Sequence, residues 1–96
     1  MSYYFKELDA DIVALDALIF GEVTPIEIWR SKRGLRLCVA MYNGVMVGFI
    51  AFYIYSDRVI HVWKTGVLPN YRSGGLFGKL LAIVLSVGKS WVWMLQ

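Results

Sequence analysis

Apolar residues recur along this chain with two rhythms, and the change between them divides it into elements. Tyr3–Leu8 reads as a short first strand. Ile12, Leu15, Leu18 and Ile19 then fall on one helical face, which predicts a helix over Ala10–Phe20. Asp9 or Asp11 can cap its start, and Gly21 can stop it. Thr24-Pro25 is a second start signal, with Glu27 completing a capping box, so a short helix ending near Gly34 is expected. From Leu35 the rhythm turns to that of strands. Leu35–Tyr42 and Val45–Tyr55 are rich in Val, Ile, Phe and Tyr, and Asn43-Gly44 between them is a favoured pair for a two-residue hairpin turn. After Ser56-Asp57 a further strand runs from Val59 to about Thr65, ended by Pro69-Asn70. Gly74, Gly75 and Gly78 lead into a helix carrying Leu76, Leu80, Leu81, Val84, Leu85 and Val87. That helix is apolar almost all round, which predicts cover on more than one side. Gly88 stops it, and Trp91–Leu95 reads as a last strand. The order is α/β, with an antiparallel meander feeding a crossover helix.

The absence of charge from Leu37 to Tyr55 raises a different reading, since that run approaches the roughly 20 residues of a membrane span. The Asn43-Gly44 turn signal inside it favours two strands over one helix. A chain of 96 residues is one domain, Met1–Gln96. Its hydrophobic share of 58% is more than so small a core hides, so a partner or a large ligand is expected. Charge is unevenly placed: six of the seven acids precede Trp29, and nine of the ten Lys and Arg follow Ile28. That field suits an anionic ligand on the later part of the chain, although a plain solvated shell explains it equally well. Nucleic acid is not expected, because only Arg30, Lys32, Arg33 and Arg36 cluster. A single cysteine, Cys38, and a single histidine, His61, argue against a disulfide and a zinc site. The acids near the N-terminus are unlike a secretion signal, so a cytoplasmic protein is expected.

A phosphate group needs convergent N–H donors with little bulk around them, and glycines between a strand and a helix supply both. Arg72-Ser73-Gly74-Gly75-Leu76-Phe77-Gly78-Lys79 has that makeup, although a tight turn alone also explains it. The wider stretch from Val67 to Leu81 resembles the signature of the GNAT N-acetyltransferase superfamily. Val67, Pro69, Tyr71, Arg72, Gly75, Leu80 and Leu81 fall in register with it. Ala40–Phe49 looks like that family's hairpin, and the likeness covers roughly Leu35 to Leu95.

The resemblance implies a GNAT-like mixed sheet with acetyl-CoA as cosubstrate. It implies that the backbone of Arg72, Ser73, Gly74, Gly75, Leu76, Phe77, Gly78 and Lys79 receives the pyrophosphate. The pantetheine arm would run along Val67 and Leu68, between the splayed strands Val59–Val67 and Trp91–Leu95. A main-chain N–H near Gly66 or Val67 would polarise the thioester carbonyl. His61 occupies the place of the strand carboxylate that serves as base in some members, six residues before Val67. Phe77 departs from the pattern, standing where a second glycine or alanine is usual. Family members usually continue past this chain's final strand with a helix and two strands. The ending at Gln96 therefore predicts an open edge, and a homodimer or protein partner bound through the last strand and its tryptophans. The function implied is transfer of acetyl to an amine, on a protein lysine or a small molecule. The alternative is a GNAT-fold interaction protein with little or no catalysis.

Overall fold

The computed structural model describes residues 1–95. Its elements are β1 (Ser2–Lys6), α1 (Ala10–Phe20), α2 (Ile26–Arg30), β2 (Arg36–Tyr42), β3 (Val45–Ser56), β4 (Val59–Val67), α3 (Leu76–Val87) and β5 (Val92–Leu95), with a 3₁₀ turn over Pro69–Gly74. The five strands form one sheet in chain order; β1 to β4 are antiparallel neighbours and β5 joins β4 in parallel. The parallel step requires a crossover, which α3 provides. The expected order of elements is thus observed, as a mixed α/β sheet.

Local signals account for most boundaries. The Asp9 carboxylate accepts the Ile12 N–H at 3.1 Å, and Gly21 closes α1 in the left-handed conformation. Asn43 and Gly44 both take positive φ, as a tight two-residue hairpin turn demands. The second helix departs from expectation. It is a single short helix ending at Arg30, and Pro25 rather than Thr24 occupies its cap position, with no side-chain capping bond. The Thr24 hydroxyl instead accepts a hydrogen bond from Lys64 Nζ at 2.7 Å. A tertiary partner has displaced the local cap.

The two faces of the sheet carry separate cores. Under α3 lie Cys38, Ile50, Phe52, Ile60, Val62 and Val67, against Leu80 and Val84 of the helix. On the other face Ile12 and Leu15 of α1 and Trp29 of α2 cover Leu37, Val39, Phe49 and Ala51. α3 is covered on this one side only: Leu76, Leu80 and Val84 are buried while Phe77 and Val87 stay half-exposed. The expected second cover is therefore not found among the described residues.

A bulge in β4 governs the arrangement of the site. Phe52 pairs with Val62 and Ala51 with Lys64, which leaves Trp63 as an extra residue. Before it, Ile60 and Val62 face α3 and His61 faces the α1 side. The extra residue resets that alternation, so the adjacent Trp63 and Lys64 both reach the α1 and α2 face.

Candidate functional site

The strand β4 ends in a glycine turn whose backbone is left accessible. Leu68 N–H donates to Val47 O at 2.9 Å, and Tyr71 N–H to Leu68 O at 2.9 Å. The first bond of α3 runs from Lys79 N–H to Gly75 O at 3.2 Å. The N–H groups of Leu76, Phe77 and Gly78 precede it and have no carbonyl partner in the helix, as the first turn of any helix must. Gly75 turns the chain at φ +72, and a Cβ at Gly74, Gly75 or Gly78 would meet nothing within 4 Å. Open space lies over these donors. Arg72, Ser73 and Lys79 are exposed beside them. Of the expected pyrophosphate donors, that of Lys79 is already engaged within the fold, as is the N–H of Leu68 beside the expected path of the pantetheine arm.

Alternation along the ladder sorts the remaining candidates. Because Leu68 N–H points to β3, Gly66, two residues back and opposite Phe49, also turns inward. Val67 and Thr65 direct their peptide groups to the other edge. Arg72 Nε donates to Val67 O at 3.0 Å, which ties the turn to this edge and leaves the Val67 N–H outward. Gly66 serves a different purpose: a Cβ there would come within 2.9 Å of the Phe49 ring and 3.0 Å of Ile19, so its bare backbone lets α1 approach the sheet.

Among the described residues β5 covers only the first part of this edge. The parallel pairing runs from Val59–Val92 to Val62–Leu95, and β4 continues past it from Trp63 to Val67. A cavity of about 230 Å³ sits there, lined by Val62, Trp63, Thr65, Phe77 and Leu95. Phe77 therefore turns its ring from the glycine turn into this cleft. On the α1 side a second cavity of about 380 Å³ is lined by Phe20, Glu22, Thr24, Trp63, Lys64 and Thr65. Trp63 and Thr65 border both, so the two cavities are neighbours along β4.

Sequence reading missed the charged cluster behind the second cavity. Lys64 Nζ donates to both Asp16 oxygens, at 3.1 and 3.0 Å, as well as to Thr24. Asp16 is wholly buried and Lys64 mostly so, with the ammonium also 5.2 Å from the Trp29 ring and 5.1 Å from that of Trp63. A signal existed: Asp16 stands four residues after Ile12 on the apolar stripe of α1, and a charge there needs a partner.

His61 lies where β4 and β5 are still paired, opposite Met94, and lines neither cavity. It is 8% exposed; Nδ1 is 2.8 Å from the Tyr53 hydroxyl, and the buried Nε2 has no hydrogen-bond partner among the described residues. Cys38 is fully buried, and burial pushes its thiol above the ordinary value, so a nucleophilic thiolate is disfavoured. Trp93 points inward, its ring 5.5 Å from Phe52 and its N–H donating to Gly88 O at 2.9 Å. Trp91 packs against the same core. Both tryptophans are thus partly buried, and Val92 and Leu95 are the exposed apolar residues of β5. Among the described residues no helix is long and apolar enough to cross a membrane, and no cluster of metal-ligating side chains is present.

A five-stranded mixed sheet with a helical crossover and a glycine turn after β4 defines an α/β fold. The chain belongs to the acetyltransferase (GNAT) family, which it matches over residues 6–95. Solved structures of similar fold include a GNAT family acetyltransferase from Streptococcus pneumoniae, 20% identical with a TM-score of 0.80, covering 99% of this chain and 74% of that one. Another is a ribosomal-protein-alanine N-acetyltransferase from Brucella melitensis, 18% identical with a TM-score of 0.75, covering 100% and 81%. A third is the aminoglycoside N-acetyltransferase AAC(6')-Iy in complex with CoA, 19% identical with a TM-score of 0.72, covering 99% and 78%. No match was found among curated proteins.

Proposed function

We propose that this chain is an N-acetyltransferase that moves the acetyl group of acetyl-CoA directly to an amine in the cytoplasm. One observation carries the reading: the edge of β4 from Trp63 to Val67, which no described strand covers, runs straight into a glycine turn whose first-turn N–H groups have no partner in the helix. The N–H groups of Leu76, Phe77 and Gly78 would hold the pyrophosphate, with the α3 dipole and the charges of Arg72 and Lys79 adding to the attraction. Arg72, Ser73, Gly74 and Gly75 shape the turn. Val67 N–H is the donor best directed to polarise a thioester carbonyl, ahead of Gly66, whose peptide turns into the sheet. Acetyl-CoA would supply the thioester; the amine nitrogen forms the new amide bond as the carbon–sulfur bond breaks, CoA leaves as its thiolate, and the proton lost by the nitrogen balances that charge.

That proton needs an acceptor. His61 fills the role in this proposal at one remove, through water, since it lines neither cavity. Its Nδ1 is held by Tyr53, which leaves Nε2 as the free nitrogen. The neighbour in complex with CoA and the neighbour named for ribosomal-protein alanine support a CoA-dependent amine acetylation here. A second reading, an interaction protein of the same fold without catalysis, draws on Phe77, a bulky side chain that forms one wall of the cleft. The same proposal pairs the outer edge of β5 with a second copy or a protein partner, through exposed Val92 and Leu95. Light scattering at micromolar concentration tests the second copy; a strict monomer refutes that form of the pairing.

Isothermal calorimetry with acetyl-CoA tests the function. Binding in the micromolar range is expected, and no heat at millimolar ligand overturns the reading. Binding without acetyl transfer to any of a panel of amines would move the protein to the second reading. Where turnover is seen, His61→Gln should lower kcat while leaving acetyl-CoA affinity unchanged.

A further inference from the structure

A further cavity, of about 240 Å³, lies between the sheet and the last turn of α3. Phe52, Ile54 and Ile60 form its floor, and Val87 and Trp91 its walls. One charged side chain lines it, Arg36, and no acid does. Arg36 stands two residues before Cys38 and shares its side of the sheet, at the rim. Its guanidinium lies 4.9 Å from the centre of the Phe5 ring, which packs edge-on to Phe52 at 6.4 Å. The group is thereby held beside the apolar floor, yet among the described residues it makes no ion pair and donates no hydrogen bond. Glu7, which shares a separate surface cavity with Arg36, is exposed and does not pair with it. Arg33 and Arg58 stand near the same rim, since Ile54 N–H donates to Arg33 O and Arg58 donates to Ser90 O, both at 2.8 Å.

We infer that this cavity binds a small apolar carboxylate, a single ring or short branched chain bearing one acid group, with the acid on Arg36. The site is independent of the acetyl-transfer reading, because it lies at the other end of α3 from the glycine turn, about 16 Å along the helix. Size limits the ligand: pockets for drug-sized molecules run to roughly 300–1,000 Å³, and this one is smaller. The rings of Phe52 and Trp91 suit a flat apolar body. A guanidinium with unspent donors favours a carboxylate, because its planar fork matches the two oxygens with parallel hydrogen bonds. Orientation follows from the helix. The carbonyl end of α3 repels an anion, although Gly88 O already accepts the Trp91 N–H at 3.1 Å and the Trp93 ring N–H at 2.9 Å. The acid therefore sits on the β2 side at Arg36, with the apolar body toward Val87 and Trp91. An amine gains nothing here, since no acid lines the cavity.

NMR titration of the isotope-labelled full chain tests this, with phenylacetate as the carboxylate probe and phenylacetamide as its uncharged isostere. Phenylacetate should bind in the millimolar range, as suits so small a ligand. It should shift the Trp91 indole signal and the amides of Gly34 and Gly88, which border the cavity. Its affinity should exceed that of phenylacetamide by about fivefold or more, the share of a charge-assisted pair left at an exposed guanidinium. Arg36→Gln removes the charge and keeps the apolar walls, so it should abolish that preference while leaving phenylacetamide binding unchanged. Equal binding of the two probes overturns the inference, and so does a preference that survives in Arg36→Gln. Shifts confined to the Gly74–Gly78 turn overturn it as well, because they would put the acid at the helix start instead. So does an absence of any response to phenylacetate at tens of millimolar.

Discussion

The two faces of the sheet solve different problems. The α3 face is apolar throughout, with Leu80 and Val84 wholly buried against Ile50 and Phe52. The opposite face buries Asp16, His61 and most of Lys64 among aromatic rings and holds all three by hydrogen bonds. Apolar packing is tolerant of direction, whereas an ion pair fixes both partners at once. The α3 face thus supplies stability. The other fastens the Gly21–Pro25 turn to β4 beside the bulge, where a cleft and a pocket must hold their shape together.

Breaking the charged face should have the largest effect. Lys64→Met leaves Asp16 buried and uncompensated and should lower stability by about 3–5 kcal/mol, measured by urea unfolding. Adding Asp16→Leu should restore much of that loss, because a well-packed apolar pair avoids desolvating two charges. If the double variant stays as unstable as the single one, the pair is more than a paired burial. Leu80→Ala is the matching test on the apolar face, with an expected loss of about 2–5 kcal/mol and no change in the urea response of Lys64→Met when the two are combined. A non-additive loss would show that the faces are coupled.

Smaller effects probe local parts. Gly75→Ala places a side chain in left-handed backbone and should destabilise by about 1–2 kcal/mol. It should also weaken acetyl-CoA binding, as calorimetry would show. Asp9 gives the smallest signal. A hydrogen bond from Lys6, helped by the Ile12 N–H, lowers its carboxyl below the ordinary 3.8. A group with a lowered folded value contributes stability above its unfolded value and loses it as pH falls through the folded one. The advantage of the parent over Asp9→Asn should therefore be present near neutral pH and vanish in acid. It should be slight, because the Asp9 side chain is 43% exposed and solvent screens the pair.

Much of the fold was legible along the chain because its signals are local. The cap at Asp9, the stops at Gly21 and Gly88, the Asn43-Gly44 turn and the glycine turn before α3 each act within a few residues. The α2 cap failed for the opposite reason. Thr24 carried the right chemistry for a local cap, and Lys64, forty residues away, engaged its hydroxyl first. The inward turn of Trp91 and Trp93 was likewise decided by Phe52 and the end of α3, not by the alternation of β5 itself.

The sequence by itself determined the order of elements, the position of the glycine turn and the family. Spacing, turn residues and motif register are readable without neighbours in space. The tertiary structure decided which donors stay free. It turned Val67 outward and Gly66 inward, sent the Phe77 ring into the cleft, and used one extra residue at Trp63 to bring Lys64 onto the face where Asp16 waits. Each of those outcomes depends on pairing between distant segments, and a one-residue shift in a strand reverses every side chain beyond it.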